Sequence, residues 1–268
     1  MKRNLLINFS IGDKCIDSLE GDIFLKSLDK FDSFEKAVFV NQVSDRNLQK
    51  LSKHFDIIIQ NDETMFTSYI ALYNWLSQNS SKYDYVLHSD LRDVIIQEDP
   101  FIFFQENSEN NMFYSLEGMQ IKENECNLFW ENITRTILST HNWPYQKEQV
   151  INGGIFGGKI DAFINHCLLM FSNTNRKEDF VVLDQQFLGY LGQFLKINPR
   201  NKMCHPYLDT FACTGEAIKR NNIEIQFVNG KACNKDGKPY CLFHQWDRTE
   251  YADKIRDRHK PSGMTFKI

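Results

Sequence analysis

An apolar strand that stops abruptly in charged residues is a natural seat for chemistry. The segment Tyr83-Asp84-Tyr85-Val86-Leu87-His88-Ser89-Asp90-Leu91-Arg92-Asp93 has that form. Ligands of open α/β sheets bind beyond the carboxyl ends of the strands, so His88, Asp90, Arg92 and Asp93 are expected at a crevice. Clustered carboxylates there suit a hard divalent cation such as Mg²⁺ or Mn²⁺, which keeps contacts to substrate phosphates. His88 and Asp90 share a face while the strand lasts, and Asp93 rejoins Asp90 only if the chain turns. The plainer reading of the same spacing is a salt-bridge network of Asp90, Arg92 and Asp93 that caps the next element.

Three other places could add to such a site. Asn152-Gly153-Gly154-Ile155-Phe156-Gly157-Gly158 reads as a tight glycine-rich loop before a helix, where backbone can approach a ligand closely. It has neither the lysine of a phosphate-binding P-loop nor a GxGxxG fingerprint. Asp184-Gln185 opens an amphipathic stretch, where an aspartate is often only an N-cap. His244 follows a short expected strand, Tyr240 to Phe243, and a lone histidine there is ordinarily surface or satisfied core. The seven cysteines include no CxxC pair, and their spacings match no standard zinc pattern, so reduced thiols are expected.

The elements that must hold these residues follow from periodicity. Leu5–Phe9, Ala37–Val40, Asp56–Gln60 and Tyr83–Leu87 read as strands, with helices expected over Asp45–His54 and Met65–Gln78. The second helix should bury Phe66, Ile70, Tyr73 and Leu76 on one face. Stripes at Ile160, Phe163, Ile164, Cys167, Leu168 and Phe171, and at Leu183, Phe187, Tyr190, Leu191 and Phe194, read as core-facing helices. Alternation of this kind predicts an α/β fold with a largely parallel sheet.

Composition narrows the classes. A net charge of -4 with 25% charged residues gives no basic face for nucleic acid, and disorder as the main state is excluded. No apolar run approaches the roughly 20 residues a membrane helix needs. Leu5–Phe9 is too short for a signal-peptide core, so the fold is expected to begin near residue 1 and the protein to be cytoplasmic. The basic run Arg256, Arg258, His259 and Lys260 reads as solvated surface, with peripheral contact to a membrane or an anionic acceptor left open.

Beyond Val94, Gln97-Glu98-Asp99-Pro100-Phe101 completes the phrase HSDLRDVIIQEDPF. With it the chain resembles the GT-A glycosyltransferases whose sheet strand ends in an SDxRDVxxQxDPF phrase. Further matches follow in order: Phe113–Glu117, Asn127 with Trp130, Asn152–Lys159, Asp184-Gln185, and His244-Gln245-Trp246-Asp247-Arg248. The resemblance spans residues 3–250. It implies a GT-A (Rossmann-like) mixed, mostly parallel sheet flanked by helices, in one domain over 1–268. Residues 1–105 would form the nucleotide-binding half and 106–268 the half for acceptor and donor sugar.

The same resemblance implies transfer of a sugar from a nucleoside-diphosphate sugar to a hydroxyl of a glycan or glycolipid, with Mn²⁺ or Mg²⁺. Asp90, Asp93 and His244 become expected metal ligands. Phe9, Ser10, Asp62, Asp90, Arg92, Asn152, Gly153, Gly154 and Arg248 are expected around the donor. Glu117, Asp184 and Gln185 are the catalytic candidates. Asp184 or Glu117 would serve as base in an inverting enzyme, while Gln185 or a backbone carbonyl would face the anomeric carbon in a retaining one. Arg92 stands where a strict Asp-x-Asp motif has its second aspartate. Either Asp90 and Asp93 share the cation, or Arg92 neutralises phosphate with its fork of donors. Two rival readings are a nucleotidyltransferase of similar layout and a non-catalytic carbohydrate-binding protein. The first would carry a glycine-rich loop with a basic residue after strand one, where this chain has Asn8-Phe-Ser-Ile-Gly-Asp13.

Overall fold

The computed structural model describes residues 2–60, 68–123, 125, 127–129, 147–174, 188, 198–221 and 225–259. Four parallel strands, β1 (Arg3–Ile11), β2 (Glu35–Asn41), β3 (Ile57–Gln60) and β4 (Tyr83–Ser89), open the chain. After a short strand outside this sheet, β5 (Val94–Ile96), the sheet is extended by β6 (Met112–Gln120), β7 (Gln149–Lys159) and β8 (Asn201–Cys204). The seven strands lie in the order β3-β2-β1-β4-β7-β6-β8, with β7 antiparallel to both neighbours and every other pair parallel. This is a mixed α/β architecture with a large, mostly parallel sheet, and strands from both expected halves of the chain build it.

Period-two alternation places helices on both faces. Leu5, Ile7, Ala37, Phe39 and Val86 point to one side, against Tyr69, Leu72 and Leu76 of α4 (Ser68–Asn79) and Ile160, Phe163, Cys167 and Met170 of α6 (Ile160–Thr174). Leu6, Val38, Val40 and Leu87 point to the other. There they meet Phe24, Leu25 and Leu28 of α2 (Leu19–Leu28) and Phe101 and Phe104 of α5 (Pro100–Glu106). Of the expected face of α4, Leu76 is buried and Tyr73 packs partly buried against the same cluster, while Tyr69 and Leu72 take the deep positions in place of Ile70, and Phe66 lies outside the described residues. On α6, Met170 takes the core position expected of Leu168, which is exposed. The stretch 183–194 lies outside the described residues apart from Leu188.

A second, three-stranded sheet completes the site. β12 (Leu242–His244) pairs antiparallel with β5 and parallel with β9 (Ala212–Thr214). Its outer layer is α7 (Gly215–Asn221) and α8 (Ala252–His259), together with the hairpin of β10 (Gln226–Val228) and β11 (Lys231–Cys233). The last strand begins two residues later than its apolar run. The Tyr240 and Cys241 amides instead donate to Ala232 and Thr210 carbonyls, which leaves His244 inside the strand.

The glycine-rich segment 152–158 is not a loop before a helix but most of β7, the strand between β4 and β6. Its glycines serve close approach. A Cβ on Gly157 would press on the Val86 carbonyl and the Phe104 ring, and one on Gly158 would overlap the Asn111 carbonyl. Turn propensity gave way here to the need for thin backbone in the middle of a sheet.

One buried histidine makes the fold acid-sensitive. His166 on α6 is enclosed, with Nδ1 3.0 Å from the Tyr114 hydroxyl and no partner for Nε2 among the described residues. Burial, helped by repulsion from His88, holds its pKa down at about 3. The unfolded chain therefore takes this proton first, and the stabilisation is full above about pH 6.5 and is lost as pH falls toward 3. Unfolding free energy should fall below pH 6.5 with a share from His166 approaching about 1.4 kcal/mol per pH unit. Denaturant titrations at pH 7, 6 and 5 should show a shallower decline in His166→Gln than in the unaltered protein.

Candidate metal centre

The junction of the two sheets assembles the site. At the end of β4 the Asp90 amide donates to the Gly154 carbonyl at 2.8 Å, prolonging the pairing with β7. Asn8 of β1 braces the same end, its Nδ2 donating to the Ser89 carbonyl at 2.6 Å and to Ser89 Oγ at 2.9 Å. The chain then turns through Leu91 and Arg92. Asp93 accepts from the Gln245 amide at 2.8 Å, and Val94 pairs with His244. The turn that Asp93 needed is therefore made by handing the chain from the large sheet to the small one.

His244 Nε2 lies 3.2 Å from Asp90 Oδ2 and 3.3 Å from Asp93 Oδ1. One ligand atom from each residue falls within 4.8 Å of the others. Asp93 and His244 are buried, whereas the Asp90 side chain is 49% exposed and forms the open side. Burial alone would depress the His244 imidazolium, but hydrogen bonds and charge from Asp90 and Asp93 outweigh it and hold it up at about 9. Burial likewise works against charge on Asp93, and His244, Arg248 and Arg92 overcome it to bring the carboxyl down to about 2. Two carboxylates and an imidazole are a donor set that fits Mn²⁺ or Mg²⁺ chemically, oxygen-rich with one borderline nitrogen.

Behind His244, its Nδ1 lies 3.0 Å from Asn152 Oδ1, which also accepts from the Gly154 amide at 3.0 Å. Asn152 Nδ2 in turn donates to Glu117 Oε1 at 3.0 Å. A slip in register makes room for this arrangement. Tyr114 faces Phe156 but Leu116 faces Ile151, so Asn152, Gly153 and Gly154 leave the regular ladder.

In front, a cleft of about 350 Å³ is walled by Phe9, Ile11, Cys15, Tyr69, His88 and Leu91, with Asp90, Arg92, Asp93 and Arg248 as its charged side. Arg92 Nη2 meets Asp247 Oδ2 at 2.7 Å, and Arg248 Nη2 lies 3.5 Å from Asp93 Oδ2. The His88 ring packs between Phe9 and Phe156 at 5.5 and 4.8 Å, and burial keeps it neutral by lowering its pKa to about 4.

Asp90, Arg92, Asp93, Arg248 and Phe9 thus come together on one cleft, and His244 is buried against Asp90 and Asp93. Asn152, Gly153, Gly154 and Glu117 are buried behind it and do not line it. Ser10 is buried as well, its hydroxyl donating to the Gly12 carbonyl at 3.3 Å. Asp62, Asp184 and Gln185 lie outside the described residues. Sequence reasoning missed Cys15, Tyr69 and Asp247; of these only Asp247 had a signal, its place in the HQWDR phrase. In the basic run, Arg256 pairs with Glu20 at 3.2 Å and Arg258 stacks over Phe227, so both have intramolecular partners. Among the described residues no helix is long and apolar enough to cross a membrane. Comparison with protein-family models and with curated proteins found no significant match to this chain.

Gly154 tests how tightly the cluster is packed. A Cβ there would overlap Asp90 Oδ2 and His244 Cε1. Gly154→Ala should weaken Mn²⁺ binding about tenfold or more by displacing those ligands. Calorimetric titration with Mn²⁺ checks this, with circular dichroism reporting that the fold is kept.

Proposed function

We propose that this protein is a glycosyltransferase of the GT-A type that moves a sugar from a nucleoside-diphosphate sugar to a hydroxyl of a glycan or glycolipid. The observation that carries the reading is the convergence of Asp90, Asp93 and His244 at the carboxyl edge of the parallel strands, where Asp90 and Asp93 line the same cleft as Arg92 and Arg248 and His244 is buried against them. A volume of about 350 Å³ is within the range of small-molecule sites, and its mixture of apolar wall and concentrated charge suits a nucleoside diphosphate. The phrases HSDLRDVIIQEDPF and HQWDR, through which the chain resembles this class of enzymes, supply the residues of the cluster.

A divalent cation held by Asp90, Asp93 and His244 would supply Lewis acidity toward a diphosphate leaving group. The chain's own part is to add positive charge beside it. Arg248 is half exposed on the cleft wall, and its contacts to Asp93 and Glu216 are long, 3.5 and 3.9 Å. That leaves its fork of donors open to phosphate oxygens, where charge develops as the bond to the sugar breaks. Arg92 has a closer partner in Asp247 and holds the turn between the sheets. A salt-bridge network alone accounts for the Arg92–Asp247 pair. It gives no reason for two carboxylates and an imidazole to converge beside a cleft.

Mixing the protein with Mn²⁺ and a panel of UDP- and GDP-sugars should raise its melting temperature for at least one donor, by mass action on the folded state. Asp93→Ala and His244→Ala should each lower donor turnover about a thousandfold, the several kcal/mol expected of cation catalysis, while the fold persists. A panel with no stabilising donor, or full activity in EDTA, would sink the reading. Stabilisation without turnover would favour a sugar-nucleotide-binding role.

A further inference from the structure

Asn152 and Glu117 sit where a ligand cannot reach them, yet both are polar, buried and hydrogen-bonded toward His244. Their chemistry is fixed by one donor whose identity is not in question. A backbone amide can only donate, and the Gly154 amide lies 3.0 Å from the Asn152 side chain, so the atom facing it is the carbonyl oxygen Oδ1. The amide nitrogen Nδ2 must then face Glu117, where the carboxyl accepts its proton at 3.0 Å. That same Oδ1, which carries no hydrogen, is 3.0 Å from His244 Nδ1. The hydrogen between them belongs to the ring, and Nδ1 is the donor.

We infer that Glu117 and Asn152 are positioning residues: they keep a hydrogen on His244 Nδ1, so that when a cation displaces to solvent the Nε2 proton held toward Asp90 and Asp93, the ring remains the Nδ1–H tautomer with its Nε2 lone pair on the cation. The inference rests on the cation site of the proposed function. It gives Glu117 and Asn152 a role distinct from catalytic base and donor contact. Outer partners of this kind orient a ligating imidazole and raise its basicity. The three-residue slip in β7 takes Asn152 out of the regular ladder, at the point where its side chain meets His244.

Two measurements test this without relying on turnover. Long-range proton–nitrogen NMR on the full-length, Mg²⁺-loaded protein labelled in histidine, with His244 assigned by its loss in His244→Gln, should show the proton on Nδ1. A neutral ring protonated at Nε2 would overturn the inference. Mn²⁺ titrations followed by electron paramagnetic resonance should show Kd raised about ten- to hundredfold in Asn152→Leu. Glu117→Gln keeps an acceptor and should cost only severalfold. If Asn152→Leu does not fold, the paired variant Asn152→Asp with Glu117→Gln decides. It keeps an oxygen toward His244 and restores a donor–acceptor pair behind it, so it should bind Mn²⁺ better than Asn152→Asp alone. Mn²⁺ affinity unchanged in Asn152→Leu, with turnover lost, would overturn the inference in favour of a donor contact. Mn²⁺ bound by the unaltered protein with no donor turned over would sink the transferase reading and leave this inference standing.

Discussion

A histidine cannot rest in a dry place between two carboxylates unless all three are held there together. Charge taken out of water is costly, and removing one partner leaves another uncompensated. His244, Asp93 and Asp90 meet that condition because two sheets share one turn of chain. The large sheet delivers Asp90 at the end of β4, and the small sheet takes over at Val94 and pairs it with His244. Either sheet alone presents only part of the cluster. The salt links of Arg92 to Asp247 and Arg248 to Asp93 then tie the two sides of the turn, and they lean on geometry already fixed by backbone pairing.

Much of the phrase that flags the site turns out to be architecture. Gln97 is buried, accepts from the Ala232 amide at 2.7 Å and donates to the Ala232 and Tyr240 carbonyls at 3.1 and 3.0 Å, clamping the approach to β12 onto β5. Asp99 caps α5 through the Phe101 amide, with Pro100 in the first turn where no amide donor is needed. Phe101 and Phe104 then enter an aromatic cluster with Phe113 and Phe211 under the sheet. Chemistry and scaffold are therefore written in one contiguous run, His88 to Phe101.

What could be read in the sequence was what local pattern controls. The four parallel strands and the helices that follow β2 and β3 were legible in apolar periodicity, whereas α2 between β1 and β2 was not, and the charged end of β4 stood out against its own apolar body. The short strands β5, β9 and β12 were harder, since three residues carry no period and their pairing depends on distant chain. Segment 152–158 was misread because glycine signals turns locally, and only the crowding between β4 and β6 shows why glycine belongs in a strand. Glu117 and Asn152 enter through the resemblance, as catalytic candidate and donor contact, but Asn152's partner His244 lies 92 residues beyond it, and no spacing rule reaches that far. The site's members were legible while their division of labour was not.

The turn between the sheets has one more consequence, for the order of events as the chain is made. Arg248 and Asp93 are 155 residues apart, and β12, the last strand of the small sheet, comes after every strand of the large one. A nascent chain that has emerged as far as β8 holds every strand of the large sheet and the Asp90–Asp93 turn, but neither His244 nor the partner strand that buries Asp93. Closing so long a loop carries an entropic cost that only completed packing repays. Until then the acidic turn is an open, hydrated pair of charges with little hold on any cation. The cluster of Asp90, Asp93 and His244 thus forms late and all at once, when β12 takes its place beside β5.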